Sequence, residues 1–343
     1  MQLTREPSSR TVARRPRLGF VGLGWIGRHR MQALAESGLC EVVAVADPSA
    51  EARDAALQVA PAATGAAELD AVLAQRPDGV VIATPSAMHA SQTIAALDAG
   101  AAVFCQKPLG RNAEETARAV AAARSADRLL ATDLSYRHAA AFRAVQDLAR
   151  SGALGEVFAV DLVFHNAYGP DKPWFRDRAR SGGGCLIDLG IHLLDLGHWM
   201  LGDTDLRCRS AHLRSAGRPV GGSGAVEDFA TATLESTAGA IVRLACSWNL
   251  PAGQDAVISV DVHGTGGGAA VRNVDGSFYD FTAFRHHGTA RECLVVPPDD
   301  WGARAALAWA ARLGRDGRCD PDCAQLVSLA SGLDEIYRMA ASG

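Results

Sequence analysis

This sequence lacks a large excess of acidic or basic residues, and long apolar runs and closely spaced cysteines are scarce in it. The 34 basic residues are balanced by 38 acidic ones, which leaves a formal net charge of -4. Without a basic field, nucleic acid is not an expected partner. The apolar run after Arg14 and Arg15 is interrupted by four glycines, which is typical of a strand and turn and not of a signal peptide or a membrane span. We therefore expect a cytoplasmic protein with no membrane partner.

The eight cysteines are scattered along the chain. Cys319 and Cys323 are the closest pair, but they lack the two-residue spacing and the neighbouring His or Cys ligands of a zinc site. We interpret all eight as reduced thiols and predict no metal site.

A length of 343 residues exceeds the usual size of one domain, so two are expected. Residues 1–16 are rich in Arg and Pro and predict a disordered tail. In residues 17–137 short β-rich runs alternate with Ala-rich helical stretches, which predicts a parallel sheet with helices on both faces, a Rossmann dinucleotide-binding domain. Residues 138–343 carry alternating segments separated by tight turns, which predicts an α+β domain with a largely antiparallel sheet. The fold class is α/β.

The same patterns predict element boundaries. The predicted strands are 18–21, 41–46, 79–83, 102–105 and 129–133 in the first domain, and 157–164, 228–234, 240–247, 256–263, 269–273, 278–284 and 292–296 in the second. The predicted helices are 26–37, 50–58, 66–75, 87–99, 113–125, 139–151, 303–313 and 321–341. The glycines of residues 264–268 predict a flexible loop, and His286 with His287 an exposed loop pair.

A dinucleotide fingerprint follows the first predicted strand. Gly22 permits the tight turn, Gly24 lets the backbone approach a pyrophosphate, and Gly27 allows close packing of helix on strand. Trp25 and Ile26 open the helix whose N-terminus would face the phosphates. The alternative is that the glycines serve only as turn residues.

Asp47 stands at the end of the second predicted strand. There a carboxylate can accept hydrogen bonds from the adenosine ribose hydroxyls and would repel a 2′-phosphate, so NAD is favoured over NADP. Ser49 and Arg53 lie close behind and leave NADP possible. The alternative is that Asp47 only caps the next helix.

The segment S-G-G-G-C-L-I-D-L-G-I-H at residues 181–192 places Asp188 and His192 four residues apart on a helix that is otherwise apolar. Burying ionisable groups is costly unless they are paired or hydrogen-bonded. The pattern therefore indicates either an internal cleft or a satisfied network in the core.

Several motifs, in this order, resemble those of the Gfo/Idh/MocA family, the glucose-fructose oxidoreductase and inositol dehydrogenase group. They are the fingerprint, T-P-S-A-M-H at residues 84–89, Q-K-P at residues 106–108, and the G-G-G-x-x-x-D-x-G-x-H segment ending at His192. The resemblance extends from Arg17 over nearly the whole chain.

The resemblance implies roles for the residues of two further motifs. Thr84, Pro85 and His89 would lie in a loop across the cofactor. Lys107 would precede a cis proline that aims its side chain into the cleft. Gln106 replaces the glutamate of the family, which keeps an acceptor for a nicotinamide ribose but brings no negative charge beside Lys107.

The implied chemistry is hydride transfer between nicotinamide and a secondary alcohol or ketone. His192 is the predicted general acid and base, Asp188 the residue that orients it, and Lys107 the donor to the reacting oxygen. The candidates for substrate and cofactor contact rest on weaker grounds. Tyr136, Arg137 and His165 are predicted to contact substrate, and Trp174 is predicted to stack on the nicotinamide. Tyr136 and Arg137 could instead bridge the domains, and His165 could lie in a surface loop.

The resemblance thus implies an NAD(P)-dependent oxidoreductase acting on a sugar, a sugar derivative or a cyclitol. Two alternatives stay open: an NAD-dependent glycosidase that returns its hydride, and a regulator that senses a dinucleotide or sugar without catalysis. By the same resemblance the sheet of the second domain would form a subunit interface, so we expect a homodimer or homotetramer.

Overall fold

A computed structural model describes residues 15–220 and 225–342 of the chain. The predicted disordered tail lies outside these residues except at its end. There Arg15 donates from Nε to the Gly38 carbonyl at 2.7 Å, and the Pro16 carbonyl accepts the backbone N–H of Glu41 at 2.9 Å. The ordered chain therefore begins earlier than residue 17.

The first sheet is parallel and six-stranded, in the order β3-β2-β1-β4-β5-β6. The strand order reverses between β1 and β4, and in such sheets ligands bind outside the carboxyl ends of the strands at that point. Its elements are β1 (Arg17–Val21), α1 (Trp25–Glu36), β2 (Glu41–Ala46), α2 (Ala50–Val59), β3 (Thr64–Ala66), α3 (Leu69–Leu73), β4 (Gly79–Ile82), α4 (Ser86–Asp98), β5 (Ala102–Cys105), α5 (Ala113–Ala126) and β6 (Leu130–Thr132).

Two local predictions for the first domain are wrong. The short edge strand β3 lies partly where a helix is predicted for residues 66–75, and α3 is only five residues long. The sequence T-G-A lacks β-branched or aromatic pairs, so only pairing with β2 identifies it as a strand.

The second sheet has nine strands in the order β15-β14-β13-β12-β7-β11-β10-β8-β9, and all neighbours are antiparallel except β7 and β11. The predicted fold class is therefore confirmed. Its elements are α6 (Ala140–Arg150), β7 (Val157–Asn166), α7 (Arg178–Ser181), α8 (Ile191–Leu201), β8 (Arg207–Ser215), β9 (Arg218–Pro219), β10 (Phe229–Glu235), β11 (Ile241–Ser247), β12 (Ala256–Gly264), β13 (Gly267–Asn273), β14 (Phe281–His287) and β15 (Ala290–Val295).

Three features of this sheet differ from prediction. Strand β8 was not predicted, because an irregularity in its pairing with β10 breaks the alternation between Cys208 and Ala211, and its arginines and serines make the segment look polar. His286 and His287 end β14 and are not in a loop. The glycine-rich stretch is the tight turn of the β12–β13 hairpin, with both flanks paired.

The last two helices change the domain division. Helix α9 (Arg304–Leu313) packs on the parallel sheet, where the Trp309 ring lies 5.7 Å from the Phe104 ring and Ala306 joins a cluster with Leu18. Helix α10 (Ala324–Ser342) contacts both α5 and β8. The prediction assigns α9 to the second domain of residues 138–343, whereas its apolar face covers strands of the parallel sheet.

Within the described ranges, no helix is both long and apolar enough to cross a membrane.

Candidate active site

The glycines of the fingerprint turn differ in what surrounds them. Gly22 has a φ of +86°, and a Cβ there would lie 2.5 Å from the Ala83 carbonyl carbon; a Cβ on Gly27 would lie 2.0 Å from the Gly22 oxygen. Gly24 has no neighbour within 4 Å of such a Cβ. The surrounding backbone therefore requires glycine at positions 22 and 27, whereas Gly24 faces open space.

The N-terminus of α1 is suited to a phosphate. Gly24 is its N-cap residue, no side chain caps the helix, and no acidic residue lies in the first turn. The first backbone N–H groups of such a helix lack internal partners and attract anions. The residues present therefore fit the pyrophosphate of a dinucleotide, held by the 22–27 turn.

Asp47 is tied to this turn. Its Oδ2 accepts the backbone N–H of Leu23 at 2.8 Å, and its Oδ1 accepts that of Ser49 at 2.9 Å. Arg53 donates to the Asp47 carbonyl at 2.7 Å. The carboxylate thus lies just beyond the carboxyl end of β2, beside the 22–27 turn, and the Arg53 guanidinium is held against the backbone behind it.

The contrast between Gly24 and Gly27 can be tested with one substitution type. Gly24→Ala is expected to leave the melting temperature within about 2 °C of wild type but to raise the Kd for NADH about tenfold or more, because the methyl group enters the space left for the phosphates. Gly27→Ala is expected to lower the melting temperature, because the methyl group collides with backbone. Thermal unfolding and fluorescence titration measure both. Unchanged NADH affinity in Gly24→Ala would contradict this assignment.

A cleft of about 370 Å³ opens beside the turn. It is lined from the first domain by Trp25, Ile26, Gln106 and Lys107, and from the second by His192. The cleft therefore joins residues of the predicted cofactor site to the predicted catalytic ones. Tyr136 also lines it.

Lys107, which lines the cleft, forms an ion pair with Asp188 behind it. Lys107 Nζ lies 2.6 Å from Asp188 Oδ1 and donates to the Asp188 carbonyl at 2.8 Å. Asp188 Oδ2 accepts the indole N–H of Trp248 at 3.1 Å. Both carboxylate oxygens thus have partners, and no hydrogen bond joins Asp188 to His192 among the described residues, so the orienting role of Asp188 stays a prediction without a supporting contact. A partly buried carboxylate pairs more strongly with an ammonium group than with a neutral imidazole.

His192 follows a π-helical turn, Leu186–Gly190, in a segment where the sequence predicts a regular α-helix. Such turns are frequent at functional sites. The Tyr136 ring meets the His192 ring edge-on at 5.0 Å. No residue of the described ranges hydrogen-bonds its ring nitrogens. Burial, and secondarily the charge of Lys107, hold the pKa of His192 well below its usual range. The imidazole is therefore neutral at pH 7 and able to accept a proton.

His89 lies beneath the cleft. Its side chain is buried, with Nδ1 2.7 Å from the Pro108 carbonyl and Nε2 2.6 Å from the Thr84 carbonyl. The Lys107–Pro108 bond is cis. The prediction that His89 contacts the cofactor is not supported, because both ring nitrogens face backbone; the side chain instead braces the loops that carry Thr84 and Lys107. Thr84 and Pro85 are partly exposed at the start of α4.

Arg137 points away from the cleft. It pairs with the buried Asp195, Nε to Oδ2 at 2.9 Å, beside a second cavity of about 190 Å³ that His198 also lines. Burial raises the pKa of the Asp195 carboxyl. Arg137 thus bridges a turn of the first domain to α8, the alternative role considered for it, and its contact with substrate stays a prediction.

His165 and Trp174 also lie outside the lining of the cleft. His165 alternates with the inward Phe164 on β7, so it faces the opposite side of the sheet, where Nδ1 is 2.8 Å from Ser247 Oγ. Trp174 stacks on Phe175 at 3.9 Å in a short turn. The strand alternation excludes His165 from a cleft on the core side.

Glu227 is a buried acid that sequence reasoning missed. Its Oε1 accepts the N–H groups of Gly184 at 2.8 Å and Leu186 at 3.0 Å, and the Tyr337 hydroxyl at 2.7 Å. Burial raises the pKa of its carboxyl. Glu227 therefore holds the backbone that leads into Asp188. Nothing in the local pattern around residue 227 distinguishes it from an ordinary strand-end acid.

The fold and this site define an NAD(P)-dependent oxidoreductase, and comparison with known families agrees. The family model described as "Oxidoreductase family, NAD-binding Rossmann fold" matches residues 16–134, and the "GFO/IDH/MocA C-terminal domain" matches residues 142–270. The chain belongs to the Gfo/Idh/MocA family, as the resemblance of its motifs implied.

Individual relatives cover nearly the whole chain. The dTDP-3,4-didehydro-2,6-dideoxy-alpha-D-glucose 3-reductase of Streptomyces violaceoruber is 32% identical over 338 residues, 94% of this chain and 95% of the reductase. GenD2 from gentamicin A biosynthesis, solved with NAD, has a TM-score of 0.81 and 28% identity and covers 100% of this chain and 98% of its own. KijD10, a 3-ketoreductase from Actinomadura kijaniata solved with NADP and TDP-benzene, shares the fold with a TM-score of 0.82 at 22% identity, covering 95% and 98%.

Proposed function

We propose that this enzyme transfers a hydride between NAD(P) and a secondary alcohol or ketone of a sugar, a sugar derivative or a cyclitol. The observation that carries the proposal is the shared cleft, where the ammonium group of Lys107 and the neutral imidazole of His192 lie beside residues of the dinucleotide turn. The sugar substrate of the Streptomyces violaceoruber relative supports the substrate class.

The residues divide the proton chemistry between them. Bound nicotinamide supplies the hydride acceptor or donor. In oxidation a ring nitrogen of His192 takes the hydroxyl proton as the C–H bond breaks, and Lys107 donates a hydrogen bond to the same oxygen. Asp188 and the Trp248 indole behind it hold Lys107 in position. In reduction the proton returns from His192 to the carbonyl oxygen.

NAD is the proposed physiological cofactor. The Asp47 carboxylate, fixed by the Leu23 and Ser49 amides, would accept the ribose hydroxyls and repel a 2′-phosphate. Arg53 donates to the Asp47 and Pro48 carbonyls, at 2.7 and 3.1 Å, and so its charge is directed partly at backbone. The Kd for NADPH should therefore exceed that for NADH.

The lowered pKa of His192 predicts a characteristic pH dependence. For oxidation, kcat/KM should stay level as the pH falls through about 6.5, where an ordinary histidine is half protonated, and decline only in more acidic solution. For reduction the required form is the imidazolium, so kcat/KM should rise as the pH falls. Steady-state rates in both directions measure this. An acidic limb of oxidation with its midpoint above about pH 7 would contradict the role of His192.

The decisive experiment follows nicotinamide absorbance with NAD or NADP and a panel of cyclitols, free sugars and nucleotide sugars. Reduction of NAD by at least one polyol, with retention of binding and loss of turnover in a His192 variant, supports the proposal. Cofactor binding with glycoside cleavage and no net reduction would favour the hydride-returning glycosidase. Binding of cofactor and sugar without either reaction would favour the sensor.

We also propose a homodimer or homotetramer. The face of the nine-stranded sheet opposite the core carries the exposed Phe158 beside the ion pair of Asp161 and Arg243. A second copy would cover this face. Light scattering that reports a monomer at micromolar concentration would exclude the assembly.

A further inference from the structure

Asp133 is a buried carboxylate at the floor of the cleft, just beyond the end of β6. Its side chain is 1% exposed, and it pairs with Arg30 of α1, Nε to Oδ2 at 2.7 Å. The Gln106 amide nitrogen donates to the same Oδ2, and the Ser135 hydroxyl donates to Oδ1. Three donors from three segments of the first domain therefore converge on one carboxylate.

The charge of this network is internally balanced. Arg30 directs Nε to Asp133, one terminal nitrogen to His29 Nδ1 at 3.0 Å and the other to Ser135 Oγ at 3.3 Å. Its guanidinium is thus committed to protein partners. Asp133 and Arg30 neutralise each other, and Gln106 and Ser135 are the neutral members of the network.

The carboxylate determines how the Gln106 amide is turned. A carboxylate only accepts hydrogen bonds, so the NH2 group of Gln106 must face Asp133. The other end of the amide, Oε1, has no hydrogen-bond partner among the described residues. Oε1 is therefore left as an acceptor at the wall of the cleft, next to Lys107 in the chain.

We infer that Asp133 is a positioning residue that fixes the Gln106 amide so that its carbonyl oxygen accepts a hydroxyl of the bound dinucleotide. This inference rests on the proposed function for its ligand. It also explains why residue 106 is a glutamine and not the glutamate that the motif resemblance leads one to expect. A second carboxylate at 106 would lie within hydrogen-bonding distance of Asp133, with one guanidinium to neutralise both.

The test is a double-mutant cycle of Gln106→Glu, Asp133→Asn and the combination of both. Gln106→Glu places two carboxylates together, and Asp133→Asn removes the charge that orients the amide and neutralises Arg30. Each single change is expected to raise the Kd for NADH about 10- to 100-fold, because a buried polar group loses its partner. The double variant restores one acid and one amide with exchanged positions. Its Kd is expected to return to within about threefold of wild type.

The pH dependence of the Kd gives a readout that simple destabilisation would not produce. In Gln106→Glu the two carboxylates share one proton at lower pH and repel each other once it is lost, so the Kd should rise between about pH 6.5 and about pH 8.5. Wild type and the double variant should show a flat Kd over this window. Burial holds the pKa of His29 and His138 below the usual range and raises that of Cys105 to about 12, so these neighbours stay uncharged. The other charged side chains that line the cleft are those of Arg30, Asp133, Lys107, Asp299 and Asp300, and all of them are common to wild type and the Gln106→Glu variant.

Gln32→Glu is a matched control, because it makes the same substitution in α1, the helix that carries Arg30. Gln32 donates to Glu36 at 2.8 Å on the exposed face of α1. Gln32→Glu also brings two carboxylates together, but in solvent, and should leave the Kd and its pH dependence unchanged.

NADH binding is measured by fluorescence titration and folding by thermal unfolding. The inference would be overturned if both single variants weakened binding and the double variant showed the sum of their effects. It would also be overturned if the Kd of Gln106→Glu did not change with pH. If wild type binds NADH but oxidises no polyol, the proposed function fails while the cycle still decides the role of Asp133. If every variant keeps the wild-type Kd, the inference alone fails.

Discussion

Replacement of His192 by asparagine is expected to lower kcat by about 10²- to 10⁴-fold, the usual contribution of a general acid or base. Asparagine keeps a polar side chain of similar reach but cannot accept a proton. Because no described residue hydrogen-bonds the His192 ring, the substitution leaves no buried partner unpaired. The Kd for NADH should stay within about threefold of wild type. Steady-state kinetics with fluorescence titration separates the two effects.

A matched control for this variant is His287→Asn. His287 is exposed at the end of β14 and does not line the cleft. Its substitution should change neither kcat nor the Kd for NADH. If His192→Asn retained wild-type turnover, a different group would have to accept the proton, and the mechanism proposed above would be wrong.

Replacement of Lys107 by methionine is expected to lower kcat by about 10²- to 10³-fold. The change removes the hydrogen bond to the developing oxyanion, and it leaves the Asp188 carboxylate without its cation. That uncompensated charge acts on His192 as well: with the ammonium gone and a free carboxylate near by, the pKa of the imidazole rises. The acidic limb of the oxidation profile should therefore move to higher pH.

Lys172→Met serves as the control, since Lys107 and Lys172 are the two lysines of the sequence. Lys172 pairs with Asp171 at 2.9 Å on the surface, with 63% of its side chain exposed. Loss of that pair should leave kcat and the pH profile unchanged. Full turnover in Lys107→Met would show that Lys107 does not stabilise the reacting oxygen, and an unshifted profile would show that its charge does not act on His192.

Much of the first domain could be predicted because its signals are local. The fingerprint turn needs glycine at Gly22 and Gly27 for steric reasons that operate within a few residues, and the alternation of apolar strands with Ala-rich helices repeats along the chain. That Lys107 and His192 share one cleft was predicted instead from the resemblance of their motifs to those of the family. Strand β3 escaped prediction because only Thr64 of its three residues favours a strand.

The partners of the site residues could not be predicted, since they are distant in sequence. Asp188 lies 81 residues from Lys107 and 60 from Trp248, and Arg30 lies 103 from Asp133. Helical periodicity assigned Asp188 to His192 because it considers only one helix. Tertiary structure brings an ammonium group to the carboxylate, and that contact prevails. Strand alternation places His165 on the face of the sheet opposite the inward Phe164.

The return of α9 to the parallel sheet has a consequence for domain exchange between relatives. A chimera that takes everything after residue 137 from another enzyme would also replace the side chains of Trp309 and Ala306 that cover Leu18 and Phe104. The parallel sheet of the host would then pack against a helix from the other enzyme, whose side chains are not matched to its hydrophobic surface. A graft meant to transfer substrate preference must therefore be cut out as an inner segment, ending before Arg304 and leaving α9 with the host.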